Sequence, residues 1–252
     1  MLFTRVIFPY QLRESISNRL RYPLPEASGK NVKLFFKNKI YLDLNSKDSV
    51  HRNIILNGYH NLSLSKVLLS LAKKGGLMID SGAGSGYYTA LWLSANPNNS
   101  AFCFESSPYE FKNLIHNLEK NELNERAGAE NSALGNINGT LVQHLRQYDW
   151  DLNLDDYDKQ NELRTQVNIQ TLDEFFTDNA EIDADLLLLN TIDNQVDILE
   201  GAETLLKERR IKHILIDCNG NEDINLRIPK FLAGMNFIMK SCDRKHMLYG
   251  LI

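Results

Sequence analysis

Apolar and polar residues follow two rhythms along this chain. From Ser63 to Lys74, Leu64, Val67, Leu68 and Leu71 recur at i, i+3, i+4 and i+7, and Gly75-Gly76 ends the pattern; this predicts an amphipathic helix. Further helices are predicted over Tyr87–Ala95, from Pro108 onward (Phe111, Leu114, Ile115 and Leu118 on one face), over Gln195–Glu208 and over Ile224–Leu232. Between them lie short continuous apolar runs, Leu77–Asp80, Ala101–Phe104, Ala184–Leu189 and Ile211–Ile216. Such runs predict strands covered on both faces. A weaker strand is expected near Ala127–Ala133, one or two short strands within Lys33–Leu44, a capped short helix at Thr171–Phe176, and a closing hairpin from Phe237–Ser241 and His246–Ile252. Residues 141–169 fit neither rhythm. There Asp149, Asp151, Asp155, Asp156 and Asp158 crowd around Trp150 and Tyr157, either as a flap over a substrate or as a solvated acidic loop. The spacing is not that of a calcium loop.

Buried strands alternating with amphipathic helices predict an α/β fold with a mostly parallel sheet between two helical layers and an antiparallel edge. No internal repeat or linker divides the chain, so residues 1–60 are expected to form an arm and cap segment and 61–252 one domain. A net charge of -4 over 252 residues provides no global basic field, and nucleic acid is not an expected partner. Cys103, Cys218 and Cys242 are scattered without metal or disulfide spacing, which suits a reducing, cytoplasmic setting. No apolar run has the length of a membrane span, and the N-terminus lacks the apolar core of a secretion signal. Residues 1–22 carry Arg5, Arg13, Arg19 and Arg21 against Glu14, interleaved with Leu2, Phe3, Val6, Ile7, Phe8 and Tyr10. Such a segment can rest peripherally on an anionic membrane, or pack on the domain or on a second copy in a homo-oligomer.

The densest chemical signal is Asp80-Ser81-Gly82-Ala83-Gly84-Ser85-Gly86, set between the runs Leu77–Asp80 and Ala101–Phe104, the second ending in Glu105. A strand, a glycine turn, a helix start and an acid at the end of the next strand form a nucleotide-cofactor layout: glycines admit close backbone approach, the helix start offers free N–H groups, and the acid can hold ribose hydroxyls. The dinucleotide fingerprint G-x-G-x-x-G is not met, because Tyr87 stands where its third glycine belongs. The D-x-G-x-G-x-G form points instead to S-adenosylmethionine (SAM), and argues against a dehydrogenase.

With these motifs in order, the chain resembles the FkbM-type SAM-dependent methyltransferases from about Leu42 to its end. Asp80 through Tyr88 looks like that family's D-x-G-A-N-x-G-Y motif, with Gly84 where asparagine is usual. Phe104-Glu105-Ser106-Ser107-Pro108 looks like F-E-P-x-P; Ser132-Ala133-Leu134-Gly135 with Gly139 like A-L-(S/G)-D-x-x-G; Thr171-Leu172-Asp173 like T-L-D; Leu199-Glu200-Gly201-Ala202-Glu203 like L-K-G-A-E. The resemblance implies a Rossmann-like class I methyltransferase fold, seven strands ordered 3-2-1-4-5-7-6 with strand 7 antiparallel. It implies SAM as cofactor, S-adenosylhomocysteine as product, and a hydroxyl of a sugar, glycan or natural-product small molecule as acceptor. Asp80, Gly82, Gly84 and Gly86 would then contact the methionine end of SAM, Glu105 would take the ribose hydroxyls, the segment around Asn131 and Ser132 would border the adenine, and Ala83, Tyr87 and Ser106 would complete the cofactor site.

One stretch departs from the pattern. Where the family usually has K-I-D-x-E-G-x-E, this chain has Leu188-Leu189-Asn190-Thr191-Ile192-Asp193-Asn194-Gln195. Asn190 stands for the acid at a strand end beside the sheet crevice, and an amide cannot act as a base near neutral pH. With that acidic cluster gone, no metal site is expected. Asp217, Asp193, His60 and His51 are the remaining candidates for a proton acceptor, with Asn190 as a hydrogen-bonding group at the reacting centre. Three readings stay open: an O-methyltransferase, a non-catalytic relative acting as a binding or assembly subunit, and an N-methyltransferase whose amine needs no strong base.

Overall fold

A computed structural model describes residues 29–36, 40–144, 164–177, 182–191, 194–218, 224–243 and 245–252. The chain opens with an antiparallel pair, β1 (Gly29–Lys33) and β2 (Tyr41–Leu44). Helix α1 (Ser49–Asn57) follows; its Asp48 N-cap accepts from the His51 N–H, and it ends at Gly58 with φ of 80°. The sequence reading had no helix there, although Asp48 and Gly58 are its start and stop signals. Helix α2 (Leu62–Ala72) leads into β3 (Gly76–Ser81), α3 (Tyr87–Ala95), β4 (Asn99–Phe104), α4 (Pro108–Lys120) and β5 (Ala127–Glu130). After an excursion, β9 (Leu186–Leu189), α6 (Gln195–Glu200), α7 (Glu203–Lys207), β10 (His213–Asp217), α8 (Ile224–Gly234), β11 (Phe237–Cys242) and β12 (His246–Leu251) complete the main body. The excursion holds β6 (Ser132–Leu134), β7 (Gly139–His144), β8 (Arg164–Gln170) and α5 (Leu172–Phe175).

The main sheet has seven strands in the order β11-β12-β10-β9-β3-β4-β5. Only β12 runs antiparallel to its neighbours β10 and β11. Counted along the chain within this sheet, that is the expected 3-2-1-4-5-7-6 arrangement. The central strand shows why its sequence has no alternation. Leu186 and Leu188 enter the core beneath α2 and α3, while Leu187 and Leu189 enter the core beneath α6 to α8, and all four are fully buried. Residues Val32 to Tyr59 of the opening segment pack into the first of these cores. No helix among the described residues is long and apolar enough to cross a membrane.

Two expectations are corrected. The helix over Gln195–Glu208 is two short helices broken at Gly201, whose Cβ would lie 1.9 Å from the Gly135 carbonyl oxygen. Asp173 caps the second, accepting from the N–H groups of Thr204 (2.9 Å) and Leu205 (3.0 Å). The irregular stretch 141–169 is strand at both ends, since β7 and β8 pair antiparallel and β8 pairs with β6. Its strands escaped notice because Val167 is the one fully buried position of β8. The acidic cluster around Trp150 and Tyr157 lies outside the described residues, as do residues 1–22 and Asp193.

Candidate functional site

The glycine turn lies at the carboxyl edge of β3 and is shaped by left-handed backbone. Gly82, Gly84 and Gly86 have φ of 78°, 53° and 87°, which residues with a Cβ rarely adopt. Their surroundings differ. A Cβ on Gly82 would meet the Asn190 carbonyl oxygen and the Thr191 Cγ2 at 2.9 Å each, and one on Gly86 the Leu114 Cδ1 at 2.9 Å. One on Gly84 meets nothing within 4 Å. The turn is pinned to β4 by N–H groups of Gly82 (2.9 Å) and Ala83 (3.1 Å), both donating to the Phe104 oxygen. Helix α3 then opens with no side-chain cap, leaving N–H groups at its start without a helical partner.

Glu105 follows the end of β4 and is 8% exposed. Its Oε2 accepts from the Gly84 N–H at 2.8 Å and its Oε1 from the Ser107 N–H at 2.7 Å. Asn131 is exposed, and its amide donates to the Glu105 oxygen (2.8 Å) and the Ser106 oxygen (3.3 Å), tying the β5–β6 junction to the end of β4. Ser132 is buried, and its hydroxyl accepts from Gln170 at 2.7 Å. The structure thus brings Gly84, Glu105, Ser106 and Asn131 to one edge. Ser132 is held inward by the small sheet.

Asp80 and Tyr87 are inside the protein. Asp80 is fully buried: its Oδ2 accepts from Thr89 Oγ1 at 2.5 Å, and its Oδ1 has no partner among the described residues. Burial pushes its carboxyl up to about 7; the Thr89 bond opposes this and the Glu105 charge adds to it. The Tyr87 hydroxyl pairs with Ser65 Oγ at 3.0 Å and is raised above its ordinary value mainly by burial. Tyr87 therefore anchors α3 to α2.

The other half of the edge lies over β9, β10 and β12. Asn190 uses its amide Nδ2 to donate to the Gly82 oxygen at 3.0 Å. Gln195, 1% exposed, donates from Nε2 to the Thr191 (2.7 Å) and Asp217 (2.8 Å) carbonyls, and Asn194 donates to the Leu134 oxygen at 2.9 Å. These three amides of the departing stretch each satisfy backbone carbonyls, which ionised carboxylates cannot do. Asp217 ends β10, 2% exposed, on the sheet face that also carries Leu215 and Leu188. His60 packs its ring 6.2 Å from that of Tyr88 and 6.5 Å from that of Tyr87, between centroids. His51 lies away from this edge: its Nδ1 accepts from the Asn45 N–H at 3.1 Å, and its Nε2 is 3.3 Å from Glu110 Oε2.

Two residues were missed. The Tyr88 hydroxyl is buried without a hydrogen-bond partner among the described residues, and its pKa is raised first by burial and then by the Asp217 charge. His246 is 5% exposed and stands directly opposite Asp217 in the β10–β12 ladder. No spacing in the sequence reveals a pair joined by strand register.

No family model matches the chain, and no curated protein matches it in sequence. Solved structures do. The methyltransferase FkbM from Methylobacillus flagellatus KT superposes with a TM-score of 0.53 at 12% identity, over 70% of this chain and 43% of that one. This chain therefore spans less than half the length of that protein. The METTL16 MTase domain gives a TM-score of 0.50 at 12% identity, over 84% of this chain and 73% of that one. At such identities the likeness establishes the fold alone, a Rossmann-like α/β fold shared with these methyltransferases.

Proposed function

We propose that this protein is a SAM-dependent methyltransferase that methylates a hydroxyl of a small-molecule or glycan acceptor. The observation that carries this reading is the edge over β3 and β4: an open left-handed turn at Gly84 whose own N–H is fixed to Glu105, the acid that ends the next strand. The residues fit such a ligand. The Gly82–Gly86 turn and the uncapped start of α3 would take the methionine part, Glu105 the ribose diol, and the surface near Ser106 and Asn131 the adenine. SAM carries its own activated methyl group, so the protein's task is alignment, exclusion of water and removal of the acceptor proton. The O-acceptor follows from the motif resemblance, and the buried polar groups over β10 and β12 suit a hydroxyl.

Calorimetry with S-adenosylhomocysteine tests the cofactor half. Micromolar binding is expected, lost by at least about thirtyfold in Glu105→Ala, since that variant removes a charge-assisted acceptor worth roughly 2 kcal/mol. Absence of binding by folded wild-type protein would overturn the reading and leave the non-catalytic relative in its place.

A further inference from the structure

Asn190 and Gln195 are occupied with backbone carbonyls, so a hydroxyl acceptor needs its proton taken elsewhere. We propose that His246, held by Asp243, is the general base of this site and receives the acceptor proton at Nε2. The inference rests on the methyltransferase reading above.

His246 opens β12, and its side chain shares a face with Asp217, its partner in the antiparallel ladder. Asp243 Oδ1 lies 3.0 Å from His246 Nδ1 and also accepts the N–H groups of Lys245 (2.7 Å) and His246 (2.9 Å), which fix the carboxylate in place. Ser63 Oγ, from the first turn of α2, is 3.3 Å from the same Nδ1. Burial raises the Asp243 carboxyl, but the bonds it accepts, led by that from the Lys245 N–H, oppose this, and the group is held below its ordinary value. Asp243 is therefore ionised and acceptor-only. A bare Nδ1 would face the lone pairs of the Asp243 carboxylate at 3.0 Å, so Nδ1 carries the proton and Nε2 keeps its lone pair.

Nε2 has no partner among the described residues. Beside His246 the fold gathers buried polar groups that a hydrophobic core would not keep for packing: Asp217 across the ladder, and the Tyr88 hydroxyl, which has no hydrogen-bond partner among the described residues and senses the Asp217 charge. His246 is two strands from β9, whose end touches the glycine turn through Asn190. At ~4.8 Å per strand that separation is about 10 Å, which leaves room for an acceptor between base and cofactor. In the step, a lone pair of the acceptor oxygen forms the bond to the methyl carbon. The methyl–sulfur bond breaks with its electron pair left on sulfur. The hydroxyl proton passes to Nε2, and the imidazolium, stabilised by Asp243, later yields it to water.

The test uses the full chain with bound S-adenosylhomocysteine. Nitrogen NMR of histidine-labelled protein, assigned against His246→Gln, is expected to show His246 as the Nδ1–H tautomer. The opposite tautomer would overturn the proposal. Transfer from methyl-labelled SAM to catechol and methyl glucoside is expected to fall about a hundredfold in His246→Gln with S-adenosylhomocysteine affinity within twofold of wild type. Asp243→Asn, which keeps an oxygen for the hairpin N–H groups, is expected to fall about tenfold. Undiminished transfer in His246→Gln would overturn the proposal; where neither hydroxyl probe is methylated, the tautomer decides. Failure of the wild type to bind S-adenosylhomocysteine would instead strike the methyltransferase reading.

Discussion

Over β3 and β4 the carboxyl edge of the sheet is shaped by backbone, and over β9, β10 and β12 by side chains. The first half consists of a turn whose glycines are left-handed and a carboxylate bound to two N–H groups, all within residues 80–107. The second half assembles Asn190, Gln195, Asp217, His246 and Tyr88 from four segments that meet only through sheet register and helix packing. Backbone shape over a short span is written locally, in residues that few other conformations tolerate. Contacts between distant segments are written in the topology. The halves should accordingly fail in different ways when altered.

The largest contrast should come from Asp80, beneath the first half. Its carboxyl is raised from 3.8 to about 7 by burial, so between those values the native state holds a proton that the unfolded chain has lost. Stability therefore falls as pH rises through that window, by up to about 4 kcal/mol at one unit per 1.36 kcal/mol. Asp80→Asn should match wild type near pH 4 and exceed it near pH 8 in urea unfolding. Parallel curves for the two proteins would show that Asp80 ionises freely and that the half is less sealed than described.

Gly82→Ala should cost about 3 kcal/mol, because it adds left-handed strain to a clash with the Asn190 oxygen and Thr191 Cγ2. That clash joins the halves: the end of β9 presses on the glycine turn. A thermal melt unchanged from wild type would separate them.

Restoring acids in the second half sharpens the comparison further. The sequence reading treated Asn190 as a lost acid, and from that view Asn190→Asp should raise activity. In the structure its amide donates to Gly82, and Gln195 donates to Thr191 and Asp217. Asn190→Asp and Gln195→Glu each turn a donor into a charge facing a carbonyl, and should cost about 2 kcal/mol with no gain in methyl transfer. A gain in either would return that position to the chemistry.

These residues show where sequence suffices. The helix at Pro108, the Thr171 cap and the turn at Gly82–Gly86 were legible because each depends on periodicity, capping or φ within a few residues, whereas the seven-stranded order came from the motif resemblance and not from local pattern. The break at Gly201 was not, because its cause is a close approach to Gly135, 66 positions earlier in the chain by residue number. The altered stretch Leu188–Gln195 was legible as a departure but not in its meaning, since an amide's role depends on whether an acceptor or a ligand faces it. The place of His246 opposite Asp217 was not legible, because strand register sets it.

The smallest effect is expected at Gly84, where backbone and side chain can be separated. Its φ of 53° lies in the left-handed region that asparagine tolerates better than other residues with a Cβ, and a Cβ there meets nothing within 4 Å. Asparagine is also what the resembling family carries at this position. Gly84→Asn should therefore change stability by no more than about 0.5 kcal/mol and leave S-adenosylhomocysteine affinity nearly intact. Gly84→Ala, which lacks an amide to bond locally, should lose about 1 kcal/mol. If Gly84→Asn stays folded yet binds the product tenfold more weakly, the open space above Gly84 is filled by the ligand itself, and the cofactor lies closer to the backbone here than an asparagine-bearing turn permits.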